Sequence, residues 1–241
     1  MTDQQNNETH NAAKSIFLHL IPGILTGICY FLIRLPLKSA GFPSIFALMI
    51  SIVFVIIPVE LGYLFYRGKR TTGRFTLSGV VDFRRVVPLW QYFAWSLIVF
   101  GIIGGIFTAL KPVDTFLQEK LFFWMPGLET GLDGGYTKPN LMITYVAVLL
   151  FGAIAGPIVE ELYFRGYLLS RTPGKLGVLW HSILFAVYHV FTPWMILTRA
   201  VGLLPLIFAV KKKSIYIGIA VHILVNAIDA IIGFVYIAGM A

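Results

Sequence analysis

Long apolar runs separated by short polar clusters divide the 241-residue chain. Seven runs stand out: Ser15 to Leu37, Ser44 to Tyr66, Val87 to Leu110, Asn140 to Ser170, Leu176 to Phe191, Pro193 to Val210 and Ser214 to Ala238. Crossing a bilayer takes ~20 residues of helix, and only the fifth and sixth runs are short of that. The pattern predicts an all-α fold, a polytopic transmembrane helical bundle of about seven spans, or eight if part of the loop 111–139 inserts. Residues 1–13 are polar and carry no apolar period, so they are expected to form a disordered tail ahead of a single transmembrane domain over 14–241. Lys14 and the run after it look at first like a signal peptide, but the run is too long and no small-residue cleavage site follows.

Composition fits this picture. The chain is 58% hydrophobic and 12% charged, with a mean hydropathy of +0.82. A soluble domain of this size would lack solvating surface groups. The net charge of +8 comes from clusters in short loops, not from a nucleic-acid-binding patch. Arg67, Lys69, Arg70, Arg74, Arg84 and Arg85 occupy one loop, Arg171 and Lys175 a second, and Lys211 to Lys213 a third. These loops alternate so as to share one side, which predicts a cytoplasmic N-terminus and an outer loop 111–139. The short outer loops suit a prokaryotic plasma membrane. Within the outer loop, Phe116 to Trp124 reads as an interfacial amphipathic helix. The single cysteine, Cys29, excludes a disulfide framework and reads as a small buried hydrophobe. Glycine pairs at Gly23/Gly27, Gly101/Gly105 and Gly152/Gly156 predict close helix contacts.

Against this apolar background the fourth run carries Gly156-Pro157-Ile158-Val159-Glu160-Glu161-Leu162-Tyr163-Phe164-Arg165. A charge at the bilayer centre costs ~2.5–3.5 kcal/mol on insertion scales, so adjacent glutamates there require pairing or a function. Measured from the inner helix ends, Glu160 lies at about 15 Å, His189 at about 20 Å, His222 at about 12 Å and Asn226 at about 18 Å. Three helices therefore bring polar side chains to one layer. Glu161 and Arg165 are spaced for an ion pair, His222 and Asn226 share a face, and so do Phe185 and His189. Glu160 points about 100° away from Glu161, so one carboxylate can be neutralised while the other faces the cavity. Pro157 is expected to free the Ala153 carbonyl and kink the helix. Arg199, in the sixth run, and Glu60, in the second, are expected to pair as structural glue. His181 reads as structural.

No serine or cysteine in that layer has a base beside it. A glutamate held against a histidine can act as general base on water, and a histidine with an asparagine can hold an oxyanion. Glu160, His189 and His222 are also candidate ligands for a zinc ion with an open position.

The three motifs Glu160-Glu161-x-x-x-Arg165, Phe185-x-x-x-His189 and His222-x-x-x-Asn226 resemble those of the CAAX-protease and bacteriocin-processing family (CPBP, or Abi), which includes the type II CAAX prenyl endopeptidases. The similarity runs from about Asn140 to Ala241 and implies a catalytic core there. It implies an intramembrane endopeptidase acting near the C-terminus of a lipidated or membrane-associated protein or peptide. By similarity, Glu160 and His189 would activate water, His222 and Asn226 would hold the oxyanion, and Glu161, Arg165 and Phe185 would support them. The family is often described as a metalloprotease, and metal-free glutamate catalysis has also been proposed for it. The rival readings are a proton-coupled transporter and a non-catalytic, immunity-type peptide binder.

Overall fold

A computed structural model describes residues 9–83, 86–172 and 174–240, and the loop cations Arg84 and Arg85 lie outside them. Seven helices, with no strand among the described residues, form a polytopic bundle. They are α1 (Ala12–Ser39), α2 (Ser44–Thr72), α3 (Leu89–Lys120), α4 (Lys138–Arg171), α5 (Gly177–Tyr188), α6 (Pro193–Lys212) and α7 (Ile215–Ala238). Six are long and apolar enough to cross a membrane, and α5 is the exception. Its 12 residues rise about 18 Å, short of the ~30 Å hydrocarbon layer. The chain then turns into α6, and Ser182 Oγ bonds the Ala200 carbonyl between the two arms at 2.5 Å. Seven apolar helices were expected, and six of them have the length of a span.

The central element is α4. Every side chain from Glu161 to Leu168 is buried, which is why a helix so rich in apolar residues can also hold charge. By contrast, α3 lies at the rim with most of its surface outward. It runs unbroken to Lys120, so the separate interfacial helix expected over Phe116 to Trp124 does not form. Residues 116–120 extend the span, and the chain turns only at Leu121, because Pro112 interrupts a hydrogen bond without ending the helix. The expected tail is also shorter at its inner end. Asn11 caps α1, His10 is buried, and the His10 N–H bonds the Arg171 carbonyl at 2.9 Å. Residues 1–8 of that tail lie outside the described residues.

The glycine pairs divide in use. Gly23 lies against the Tyr188 carbonyl and ring, and Gly27 against Val190, so α1 approaches the end of α5 more closely than any side chain would allow. Gly152 packs on Met49 and Gly156 near Ile52. Gly101 and Gly105 face open space, so the close contact expected of that pair is not made among the described residues. Cys29 is only partly covered.

The loop between α3 and α4 is pinned to the end of α1 and the start of α2. Glu129 accepts from Lys38 Nζ at 2.5 Å and from the Tyr136 hydroxyl at 3.1 Å, and its N–H bonds Ser44 Oγ at 2.8 Å. The Lys38 hydrogen bond holds the Glu129 carboxyl below its usual range. A depressed carboxyl contributes stability above the unfolded value, about 4.3, and loses it as pH falls through the folded one. Glu129→Gln should therefore lower the thermal midpoint slightly near pH 7 and leave it unchanged once the pH is well below about 4. Parallel melting of both proteins in detergent across that range checks this.

Candidate active site

Two helices carry carboxylates inward by the same device. In α2 a π-helical turn over Ile52–Ile56 precedes Pro58 and Glu60. In α4 a π-helical stretch over Val148–Ala155 precedes Pro157 and Glu160. A π turn inserts a residue and leaves backbone groups unbonded, as often happens at functional sites. The Gly156 N–H bonds the Phe151 carbonyl, five residues back. In that register the partner of the Gly152 carbonyl would be Pro157, which has no N–H. The carbonyl set free is therefore that of Gly152, not of Ala153 as expected. Asn226 Nδ2 on α7 fills the gap at 2.9 Å. One of the two amide hydrogens of Asn226 is thus committed to backbone, leaving the other available.

The two glutamates separate as their helical spacing predicts. Glu161 is fully buried and lies 3.4 Å from Arg165 Nη1 and 3.0 Å from His222 Nδ1. Gly218, one turn before His222, leaves room for it: a Cβ there would lie 2.7 Å from Glu161 Oε2. The Arg165 guanidinium is stacked 3.9 Å from the Phe185 ring centre. Glu160 is 7% exposed, and its two oxygens face different ways. Oε1 accepts from the Tyr188 hydroxyl at 3.2 Å, while Oε2 lies 3.7 Å from His222 Nε2. His222 therefore spans both carboxylates.

The hydrogen bonds set the tautomers. A carbonyl only accepts, so His189 Nδ1 donates to the Phe185 carbonyl at 3.0 Å and a neutral His189 carries its lone pair at Nε2. Similarly, His222 Nδ1 donates to Glu161, so His222 can donate from Nε2 only as the imidazolium. Phe185 is the shared floor, with ring centres 5.0 Å from His189 and 6.4 Å from His222. Glu160 meets His222 directly. No hydrogen bond or ion pair joins Glu160 to His189 among the described residues, and the tyrosine beside that histidine is what touches it.

One expectation is corrected. Arg199 does not pair with Glu60: its Nη1 donates to the Thr192 carbonyl at 3.1 Å, while Thr198 binds the buried Asp114 of α3 at 2.6 Å. Glu60 Oε1 instead lies in hydrogen-bond range of the Tyr188 hydroxyl of α5, at 3.1 Å. Among the described residues no three His, Cys, Asp or Glu side chains are grouped to hold a metal ion. As arranged, Glu160, His189 and His222 do not fit a resident zinc. His181, read as structural, bonds His19 at 2.8 Å in the core. Tyr188 was missed at the sequence level. Its signal was its place beside His189, one polar hydroxyl in a helix otherwise lacking polar residues at that depth.

Fold and site together define an integral membrane protein with a buried carboxylate–imidazole centre assembled from α2, α4, α5 and α7. Residues 142–228 match the family model of the type II CAAX prenyl endopeptidases, described as Rce1-like, and this bears out the resemblance drawn from the three motifs. The matched segment contains Glu160, Glu161, Arg165, Phe185, His189, His222 and Asn226, and the family is one of proteases. No curated protein and no solved structure matches the chain.

Proposed function

We propose that the protein is an intramembrane endopeptidase that hydrolyses a peptide bond near the C-terminus of a lipidated or membrane-associated protein or peptide. The observation that carries this reading is the placement of Glu160, with one oxygen bound by Tyr188 and the other 3.7 Å from an imidazole. Glu160 Oε2 takes a proton from water, and the water oxygen attacks the scissile carbonyl. His189 Nε2, the free lone pair, orients that water. His222, flanked by two carboxylates, and the second amide hydrogen of Asn226 hold the oxyanion. The carbon–nitrogen bond then breaks, and Glu160 returns its proton to the leaving amine. Glu161, Arg165 and Phe185 fix His222 and the floor. No metal takes part in this reading. We place the N-terminus in the cytoplasm of a prokaryotic cell, on the strength of the loop cations.

The test is incubation of the protein in lipid nanodiscs with a farnesylated peptide ending in a CAAX-type sequence, with and without a chelator, and mass spectrometry of the products. Cleavage that survives the chelator is expected. A protein that cleaves nothing but moves protons across liposomes would overturn the reading in favour of a transporter.

A further inference from the structure

Tyr188 has one hydroxyl hydrogen and two carboxyl oxygens in bonding range, Glu60 Oε1 at 3.1 Å and Glu160 Oε1 at 3.2 Å. One hydrogen cannot serve two carboxylates at full strength. The arrangement is complete only if one carboxyl carries a hydrogen of its own and donates it to the phenol oxygen. Surroundings decide which. Glu160 is 7% exposed and has His222 Nε2 at 3.7 Å from its Oε2, while Arg165 is paired with the neighbouring Glu161. Glu60 is 0% exposed, has no cation within ion-pair distance among the described residues, and its Oε2 makes no hydrogen bond. The groups around it are Tyr188 of α5 and Glu160, Tyr163 and Arg165 of α4. A buried charge settles where countercharge is, so the hydrogen belongs to Glu60.

We propose that Glu60, on α2 and outside the matched segment, is a further positioning residue of the site, donating a hydrogen to Tyr188 so that Tyr188 donates its own to Glu160 Oε1. The purpose of this relay rests on the endopeptidase reading, while its geometry does not. The donation runs one way, toward Glu160. It makes Oε1 an acceptor held in place and leaves Oε2 as the basic oxygen facing His222. With the opposite polarity the hydrogen would sit on Glu160 and silence it as a base. The paired π turns and prolines of α2 and α4 fit this account, because they bring both carboxyls to one hydroxyl from opposite sides. Gly23 completes the support, since α1 lies directly on the Tyr188 backbone.

The experiment has two arms. Infrared spectroscopy of the protein in nanodiscs at neutral pH should show the carbonyl stretch of a neutral buried carboxyl. Glu60→Gln should remove it, and Tyr188→Phe should displace it. A neutral-carboxyl spectrum unchanged in Glu60→Gln would overturn the proposal, whether or not the protein cleaves anything. In the second arm, the farnesylated peptide is the substrate. Glu60→Gln should keep kcat within about twofold, because its amide donates as the acid does. Tyr188→Phe should lower kcat about tenfold or more with KM unchanged, the scale of one hydrogen bond to a charged group, and Glu60→Leu should lower it by less, because the phenol then still donates its hydrogen to Glu160. Adding Glu60→Leu to Tyr188→Phe should then cost nothing further, since Glu60 acts only through the phenol. A Glu60→Gln protein as slow as Glu60→Leu, or additive losses, would overturn the relay. If Glu60→Leu fails to fold, the infrared arm decides.

Discussion

Glu160→Gln is expected to abolish peptide cleavage while leaving the bundle intact. Glutamine has the shape of glutamate and still accepts from the Tyr188 hydroxyl, so the contacts of α4 with α5 persist. It cannot take a proton from water at neutral pH. General-base catalysis contributes ~10²–10⁴-fold, and kcat should fall by that factor with KM little changed. The thermal midpoint should hold or rise, since the substitution removes a buried charge. Activity within a few fold of the natural protein would exclude Glu160 as the base. A pure peptide binder would keep its phenotype, which separates that rival class.

Arg165→Met should produce the largest loss of stability. The guanidinium is 0% exposed, lies 3.4 Å from the fully buried Glu161, and none of its N–H groups makes a hydrogen bond among the described residues. Charge attraction and the Phe185 ring hold it. Removing one member of such a pair leaves a bare buried charge and costs ~3–5 kcal/mol. The Glu161→Gln/Arg165→Met double variant should recover much of that loss, because it strands no charge. It should remain inactive if Glu161 orients His222, whose Nδ1 it accepts at 3.0 Å. Arg165→Lys should rescue only in part, since an ammonium keeps the charge without the flat face that stacks on Phe185. Denaturation of the four proteins in one detergent checks the order. A single variant as stable as the natural protein would show that the pair carries no weight.

Much of this site was legible in the chain because a helix repeats on a fixed geometry. Positions four apart share a face, so Glu161 with Arg165 was foreseeable, as was the outward turn of Glu160. Counting rise per residue placed Glu160, His189, His222 and Asn226 at one depth without any coordinates. Other features were hidden because they depend on which helix lies beside which. Arg199 and Glu60 both needed partners, and charge alone suggested each other. The fold gave Arg199 the Thr192 carbonyl and put Glu60 against Tyr188. The π turns were hidden too, since they follow from packing around Pro58 and Pro157, and they moved the free carbonyl from Ala153 to Gly152.

The order of residues by itself determined a membrane bundle and the faces within each helix, because burial cost and helical repeat act locally. Which carboxyl meets which base was decided only in three dimensions. Neighbouring helices fix those meetings by contacts such as Gly23 on Tyr188 and Gly218 beside Glu161, made between residues far apart in the chain.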